Sequence, residues 1–279
     1  MTNQADIADA LRRIADTLER DIAPPPPPED WRAFPAYVWA GDGARGIDRI
    51  EAPALRLLRG IDAQKAAVTR NVARLAAGLP AHDMLLWGAR GTGKSALLRS
   101  AIAEVQGSGG DIALVQVATD VVASLPTLFA ELGGARRRFL VFVDDLGFAE
   151  ADAAGPRHLR SWLDGGIEAR PPNVRLAVTS NRRAILPRHA SEQDDPLNPR
   201  DAVDDSLALA DRFGMALGFH NLGQEDYLDI LRGYAEEYAL PLDENEALEW
   251  AKRRGARSGR VAWHFITELA GREGRALPR

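Results

Sequence analysis

Residues 88–95 read Gly-Ala-Arg-Gly-Thr-Gly-Lys-Ser, and this octapeptide sharply restricts the folds available to the chain. Glycine, any four residues and then Gly-Lys-Ser is the P-loop pattern. A short apolar run at residues 84–87 precedes it and predicts a buried strand, and residues 95–105 follow with the apolar spacing of a helix. A P-loop requires this order of strand, loop and helix, so we predict a nucleotide-binding site here.

The glycines of the motif permit backbone dihedral angles that a Cβ atom would forbid, so successive N–H groups can surround phosphate oxygens at a helix N-terminus. Lys94 is expected to reach the β- and γ-phosphates, and Ser95 to hold Mg²⁺ through its hydroxyl. The alternative, an accidental glycine-rich turn, is disfavoured because the chain contains only three lysines. The predicted nucleotide-binding residues are Gly88, Ala89, Arg90, Gly91, Thr92, Gly93, Lys94, Ser95 and Ala96.

Composition narrows the class of protein. The 279 residues are 46% hydrophobic and include no cysteine, which excludes disulfides, zinc thiolate sites and cysteine nucleophiles. A net charge of −5 and a pI near 5.6 disfavour a general nucleic-acid coat, although a local basic patch stays open. No apolar run approaches the roughly 18 residues of a membrane helix, so we expect a cytoplasmic protein without a membrane partner.

Two segments, residues 1–23 and 24–56, precede the main domain. Four apolar residues recur at helical spacing in the first and predict an amphipathic helix over residues 6–21. They are Ile7, Leu11, Ile14 and Leu18. Because so short a helix is not stable alone, it is expected to dock on a protein partner, another subunit or its own core, with a frayed helix as the alternative. The second segment is predicted to be a proline-rich and aromatic connector packed on the main domain, rather than a stacking surface for single-stranded nucleic acid.

Strands and helices alternate over residues 57–222, which predicts a doubly wound α/β domain with a parallel sheet and ligands at the carboxyl ends of its strands. Five consecutive apolar residues, 139–143, are typical of a fully buried parallel strand. A later strand begins at residue 174 and ends in polar residues 179–181. Residues 223–279 have a purely helical pattern and predict a small all-helical lid domain.

Two acids, Asp144 and Asp145, directly follow the buried strand predicted at residues 139–143. Asp144 occupies the place, downstream of a P-loop, from which a carboxylate holds Mg²⁺, and Ser95 would be its companion ligand. Asp145 is predicted to polarise the attacking water. Two acids that merely face solvent at a strand end are the alternative, which the P-loop disfavours. The expected cofactors are ATP and Mg²⁺.

The order of these parts resembles the AAA+ ATPases over about residues 57–271: a P-loop, an acidic strand end, a polar strand end, an arginine and a helical lid. Within that superfamily the chain is similar to an uncharacterised bacterial family of single-module ATP-binding proteins, catalogued as a domain of unknown function. The phrases that carry the resemblance lie at residues 88–95, 144–146, 164–171, 179–183 and 206–214. The resemblance implies a P-loop NTPase fold of the AAA+ type and specifies no cellular role.

The resemblance also implies roles for single residues at the strand ends. Asn181 corresponds to sensor 1, which orients the water or reads the γ-phosphate, with a turn-forming asparagine as the alternative. Arg212 corresponds to the arginine finger that completes a neighbouring subunit's site, unless it pairs with Asp211 or Asp205 of its own chain. The implied catalytic set is Lys94, Asp145, Asn181 and Arg212, and the implied assembly is a homo-oligomer.

Three further positions follow from the same resemblance. Arg260, in the lid, corresponds to sensor 2, and Arg257 is its competitor. Gly60 and Ile61 would line the adenine pocket through backbone groups.

The chain departs from the family pattern in two places. The usual second acid is glutamate, and Asp145 is one methylene shorter, so hydrolysis is expected to be slow. A second departure disfavours polypeptide threading, because residues 118–122 lack an aromatic-apolar-glycine loop.

Three functional hypotheses stay open at this point. The leading one is an ATPase whose Mg-dependent hydrolysis rearranges the lid and the subunit contacts. The second is a nucleotide-gated binding module with little turnover. The third is a DNA-associated remodeller or helicase-loader-like protein, which arginines at residues 136–138 and 253–260 favour and the acidic pI disfavours. Nucleic acid is therefore an open but not a favoured partner.

Overall fold

Seven strands of the described chain form a single sheet. They are β1 (Ala36–Trp39), β2 (Ala44–Ile47), β3 (Met84–Gly88), β4 (Ile112–Val117), β5 (Arg138–Val143), β6 (Val174–Ser180) and β7 (Met215–Phe219). Their order across the sheet is β2-β1-β4-β5-β6-β3-β7, and every neighbouring pair is parallel except β1 with β2. The structure is a computed structural model that describes residues 30–146, 163, 170–181 and 212–277. The predicted helix at residues 6–21 lies outside them, as do Asp205 and Asp211.

Six α-helices accompany the strands within the described ranges. They are α1 (Asp62–Ala76), α2 (Lys94–Gly107), α3 (Leu125–Gly133), α4 (Gln224–Glu237), α5 (Glu244–Arg253) and α6 (Gly259–Arg272). The first three alternate with strands, and the last three follow β7 without interruption by another strand. Two 3₁₀ turns, Leu55–Leu57 and Thr119–Ser124, lead into α1 and α3. No helix of the described ranges is both long and apolar enough to cross a membrane.

The central strand β5 supplies side chains to both faces of the sheet, because successive residues of a strand point in opposite directions. Phe139, Val141 and Val143 pack in the core that α3 covers, whereas Leu140 and Phe142 pack in the core under α1 and α2. A strand covered on both faces has no reason to alternate in polarity, which explains the continuous apolar run. The prediction of a doubly wound, mostly parallel α/β sheet is confirmed.

The prediction that residues 24–56 are only a connector is wrong in part, because residues 36–39 and 44–47 form β1 and β2. The strand β1 pairs in parallel with β4, from Ala36 opposite Leu114 to Trp39 opposite Val117. Hydrogen bonds to β4 stabilise this strand, and a four-residue segment is too short to show a period of its own. The aromatic rings do pack on the main domain as predicted: Tyr37 and Trp39 are fully buried, so they offer no face for stacking nucleic acid.

The lid consists of α4, α5 and α6 around a core of its own, with Tyr227, Leu231 and Phe265 among its buried residues. Each of its last two helices begins at a side-chain cap. Asp243 accepts hydrogen bonds from the first-turn N–H groups of α5, and Ser258 accepts one from the N–H of α6 at Val261. Such caps satisfy N–H groups that have no partner inside the helix and so define where it starts.

Candidate active site

The P-loop connects β3 to α2 at the carboxyl edge of the sheet. Gly88 ends the strand with a φ of +132°, and Gly91 and Gly93 also have positive φ values of +75° and +94°. A Cβ atom on Gly88 would lie 1.9 Å from the carbonyl oxygen of Phe219 in β7. Glycine is therefore required here both by the backbone conformation and by the close approach of the neighbouring strand.

The N-terminus of α2 has the features of an anion site. The residue before its first turn is Gly93, and no side chain caps the helix there. Thr92 instead donates its hydroxyl to the carbonyl oxygen of Ala89 at 2.8 Å, which closes the loop on itself. Uncapped N–H groups and the helix dipole together favour a phosphate at this position. The loop therefore fits a nucleotide's phosphates.

Lys94 lies under this loop and is 7% exposed. Its ammonium group donates to the carbonyl oxygens of Gly88 and Ala89, both at 2.7 Å. Burial lowers the pKa of Lys94 below its usual value, while the nearby carboxylates of Asp145 and Asp144 act in the opposite direction. Backbone acceptors of the loop thus hold the ammonium group, and the two acids that follow β5 act on its charge.

Asp144 receives hydrogen bonds from two hydroxyl groups. Ser95, in the first turn of α2, and Thr179, at the end of β6, each donate to Oδ1 of Asp144 at 2.6 Å. A serine hydroxyl of the P-loop beside a strand-end carboxylate is the donor set by which P-loop proteins hold Mg²⁺. Ser95 and Asp144 therefore fit a magnesium ion, which would shield the charge of the phosphates.

Asp145 lies at the same edge of the sheet as Asp144 but has different contacts. Its φ is +54°, in the left-handed region that aspartate tolerates better than most residues. Asn181 donates its side-chain amide to Oδ1 of Asp145, and the guanidinium of Arg90 lies 3.6 Å from Oδ2. The side chains of Arg90 and Asp145 are 77% and 57% exposed, so this ion pair contributes little stability.

The strand order explains why these side chains meet. Adjacent parallel strands end at the same edge, and β6 lies between β5 and β3. In the ladder Val143 pairs with Val178 and Trp87 pairs with Ser180, so the residues after each strand are neighbours. Three chain segments far apart in sequence thus supply the loop, the two acids and Asn181.

The lid contacts the P-loop directly. The N–H of Gly259, the first residue of α6, donates to the carbonyl oxygen of Gly91 at 2.9 Å. A Cβ atom on Gly91 would lie 2.9 Å from Ser258 and 3.5 Å from the Cβ of Arg260. The charge of Arg260 also contributes to lowering the pKa of Lys94. Arg260 is thus brought to the site, while Arg257 lies in the exposed turn before α6.

Gly60 and Ile61 lie between the P-loop and the lid. A Cβ atom on Gly93 would lie 3.5 Å from the side chain of Ile61, and one on Gly60 would lie 3.9 Å from Asp226 of α4. Ile61 is buried with the sheet core, whereas Leu57 just before it joins the lid core. These two residues therefore border the space beside the phosphate loop, and their place in an adenine pocket stays a prediction.

Arg212 is not brought to this site. It precedes β7, whose first residue, Met215, pairs with Met84 at the start of β3. The P-loop leaves the other end of β3, and the five residues of β7 span about 17 Å at about 3.3 Å each. Arg212 consequently lies at the edge of the sheet opposite its own P-loop.

Thr179 is a site residue that the sequence analysis did not single out. Besides donating to Asp144, its hydroxyl accepts a hydrogen bond from the backbone N–H of Asp145 at 2.8 Å. It is 1% exposed and so has no solvent to replace either bond. Its polar residue type at the end of an apolar strand was the available signal, but its partner depended on which strands are adjacent.

Fold and site together define a P-loop ATPase fold of the AAA+ class. A RuvB variant from Thermotoga maritima matches with a TM-score of 0.54 at 17% identity, over 80% of this chain and 66% of that one. RuvB described as a Holliday junction branch migration motor, from the same organism, gives 0.51 at 17% identity and the same coverage. The ORC1 protein of Aeropyrum pernix, solved in complex with DNA, gives 0.54 at 20% identity, over 79% of this chain and 63% of that one. The chain thus spans slightly less than two thirds of these proteins.

Sequence comparison identifies the family. No curated protein matches the chain. Residues 32–273, however, match the family described as protein of unknown function (DUF815). The match covers most of the 279 residues, including β1, the P-loop, both strand-end acids and the lid. The chain belongs to the DUF815 family.

Proposed function

We propose that the protein binds Mg·ATP and hydrolyses it slowly, using the turnover to rearrange its lid and its contacts with other subunits. The observation that carries this proposal is the hydrogen bond of Ser95 to Asp144 at 2.6 Å, directly beneath a glycine loop with an uncapped helix N-terminus. It joins the metal ligand of the P-loop to the metal ligand of the strand end. A glycine-rich turn that matched by accident would have no reason to face a buried-strand carboxylate.

The side chains divide the chemistry between them. Lys94 would neutralise charge on the β- and γ-phosphates, and Ser95 with Asp144 would hold Mg²⁺. Asp145 would orient the attacking water and accept its proton, with Asn181 fixing the direction of the carboxylate. Arg260 would contact the γ-phosphate from the lid. The hydrogen bond between Gly259 and Gly91 supports a direct link between the nucleotide and the lid.

The proposal includes a homo-oligomer in which Arg212 acts on the site of a neighbouring subunit. Its place at the sheet edge opposite its own P-loop supports action in trans, because its side chain lies too far away to reach the phosphates of its own chain. A guanidinium has a permanent charge and a rigid fork of donors, which suit it to charge developing on phosphate oxygens. An intramolecular ion pair stays the alternative role.

A thermal-shift titration tests the central proposal. A ligand that binds only the folded state at about 100 times its Kd stabilises the protein by about 2.7 kcal/mol. ATP with Mg²⁺ should therefore raise the Tm of the parent and leave that of Lys94→Ala unchanged. Lys252→Ala is the matched control, because Lys252 is exposed on α5 and pairs with Glu249 of the same helix. Equal shifts in the parent and in Lys94→Ala would overturn the proposal.

A nucleotide-gated switch with little turnover is the second candidate. The contacts of Asp145 favour it: the carboxylate is engaged by Asn181 and lies near Arg90, and it is shorter than the usual glutamate. Steady-state phosphate release separates the two candidates, since a switch binds ATP but releases phosphate no faster than a variant without Lys94. In either case residues 6–21 are proposed to meet a protein partner, and we propose a cytoplasmic location.

A DNA-associated remodeller is the third candidate. The names of the similar structures favour it, since RuvB is described as a Holliday junction motor and ORC1 was solved with DNA. The three arginines at residues 136–138 give this candidate less support than their charge alone would, because one of them is engaged within the fold. Arg137 donates to the carbonyl oxygens of Trp31, Phe34 and Ile112 and pairs with Asp111, so it is part of the fold.

A further inference from the structure

The end of α5, the start of α6 and the turn between them form a strongly basic segment. Residues 250–264 contain five cationic residues and no acid. They are Lys252, Arg253, Arg254, Arg257 and Arg260. With 40 acids in 279 residues, a stretch of 15 would on average hold about two. A tryptophan stands at each end of the segment, Trp250 on α5 and Trp263 on α6, so the basic turn is framed by two large aromatic rings.

Side chains of α5 and α6 and of the turn between them line an open groove of about 800 Å³. Trp250, Arg254, Trp263 and His264 line one end of it, and Thr267, Glu268, Gly271 and Arg272 line the other. We call this the lid groove. At the first end the guanidinium carbon of Arg254 lies 4.6 Å from the ring centre of Trp250, within the range of a cation–π contact.

The charge of the lid groove is unevenly compensated. Glu268 is engaged by Arg272 at 3.0 Å, and Arg272 also pairs with Glu246 at 2.6 Å, so that end is neutralised internally. At the tryptophan end the groove is lined by Arg254, and Arg253 and Arg257 lie close to it in the sequence. No carboxylate of the described residues forms an ion pair with any of these three arginines. All three are exposed. Uncompensated positive charge therefore lies in the groove at Arg254, beside Trp250, and next to Arg254 in the chain.

The rings are held in place and one of them has an unused donor. Trp263 contacts Tyr234 with a centroid distance of 5.2 Å, and Trp250 contacts Phe265 at 5.7 Å, so both are anchored in the lid core. The indole Nε1 of Trp250 is buried and has no hydrogen-bond partner among the described residues.

We propose that the lid groove binds single-stranded nucleic acid. Uncompensated arginines would contact the phosphates, and the rings of Trp250 and Trp263 with the plane of Arg254 would stack on bases, which is how sequence-tolerant single-strand sites are built. An acidic peptide such as polyglutamate would use the charges but has no aromatic group to stack on the rings. This proposal does not depend on ATP hydrolysis, since Lys94 and Asp144 take no part in it.

Fluorescence anisotropy with labelled oligothymidylate and oligouridylate of about 20 nucleotides tests it. Binding should weaken steeply with salt, because each neutralised phosphate releases counterions. Arg253→Ala/Arg254→Ala should weaken binding at least tenfold and flatten the log–log salt dependence by about 1.4, since each phosphate of a single strand that an arginine neutralises contributes about 0.7 to that slope. Comparing the two oligonucleotides distinguishes a preference for DNA from one for RNA, because only RNA has a 2′-hydroxyl that the protein can contact.

The matched control is Arg70→Ala/Arg74→Ala, which removes two exposed arginines one turn apart from α1. It changes the net charge equally and should bind as the parent does. Lys94→Ala should also bind the strand normally, which keeps failure of this proposal distinct from failure of the ATP proposal. The proposal is overturned by unchanged affinity in Arg253→Ala/Arg254→Ala, by an equal loss in the control, by polyglutamate of equal charge competing as well as the strand, or by no binding at about 50 mM salt.

Discussion

The hydroxyl of Thr179 donates to Oδ1 of Asp144 at 2.6 Å and thereby ties the end of β6 to the end of β5. The hydroxyl oxygen of Thr179 in turn accepts a hydrogen bond from the backbone N–H of Asp145 at 2.8 Å. One buried side chain thus sets the position of both strand-end acids. Because Ser95 donates to the same Asp144 oxygen, the link extends to the P-loop. We regard Thr179 as a positioning residue for Asp144, the proposed metal ligand.

Replacing Thr179 by valine keeps the shape of the side chain and removes the hydroxyl. The N–H of Asp145 and Oδ1 of Asp144 each lose a hydrogen bond to Thr179, and one such bond contributes about 1 kcal/mol. Asp144 is then less firmly oriented, so we expect a higher Mg²⁺ concentration for half-maximal ATP-dependent stabilisation. A Mg²⁺ titration at fixed ATP measures it. Thr179→Ser keeps the hydroxyl and should restore the parental Mg²⁺ response, and a parental response in Thr179→Val would contradict the assignment.

Replacing Asp145 by asparagine removes the proposed base without removing a metal ligand. ATP binding should stay at the parental level while phosphate release falls, by on the order of 10²-fold or more if Asp145 acts as a general base. Asp120→Asn, at an exposed position on a 3₁₀ turn, is the control for the change in charge. If Asp145→Asn released phosphate at the parental rate, another group would have to orient the water.

Replacing Arg212 by alanine should leave ATP binding intact and reduce hydrolysis at least tenfold, since arginine fingers of GTPases contribute on the order of 10³ to 10⁵. Lysine should substitute poorly because it lacks the planar fork. Mixing Arg212→Ala with Lys94→Ala should restore part of the activity, because some interfaces then join an intact finger to an intact P-loop. Absence of rescue at every mixing ratio, or full activity in a protein that sediments as a monomer, would exclude action in trans.

Replacing Gly88 by alanine should destabilise the fold whether or not the protein binds ATP. The new Cβ would lie 1.9 Å from the carbonyl oxygen of Phe219, and the φ of +132° is unfavourable for alanine. We expect a loss of more than about 1 kcal/mol in the free energy of unfolding. Gly107→Ala is the control, because nothing lies within 4 Å of its Cβ position at the end of α2. Denaturant unfolding should find that control equal to or more stable than the parent.

Alkaline pH should weaken the lid. Burial raises the pKa of Tyr234 to about 12, above its unfolded value near 10. A raised folded pKa means that the stabilising contribution is complete below pH 10 and is lost as the pH rises from about 10 to 12. Unfolding free energies measured across that range should fall less steeply in Tyr234→Phe, which has no proton to lose. Identical pH profiles for the two proteins would show that Tyr234 does not titrate in this way.

Local sequence was sufficient wherever one segment contains the whole signal. The glycines and Lys94 specify a loop through backbone freedom and charge, and that loop was predicted at its observed position. The uninterrupted apolar run at residues 139–143 predicts a strand buried on both faces, with Asp144 and Asp145 at its end. The lid helices likewise follow from periodicity and from caps such as Asp243 and Ser258, because these interactions are made within one turn.

Relations between segments depended on the tertiary structure. Which strands are adjacent is settled by packing and by ladder hydrogen bonds, and neither is visible in a period of two or 3.6. For that reason β1 was missed, Thr179 could not be paired with Asp144, and the edge on which Arg212 lies was unknown. The sequence by itself determined the P-loop, its strand and the acids. Only the assembled sheet decided which side chains contact the two acids. The hydrogen bonds that Ser95 and Thr179 make to them each join residues more than 30 positions apart, so no local pattern contains them.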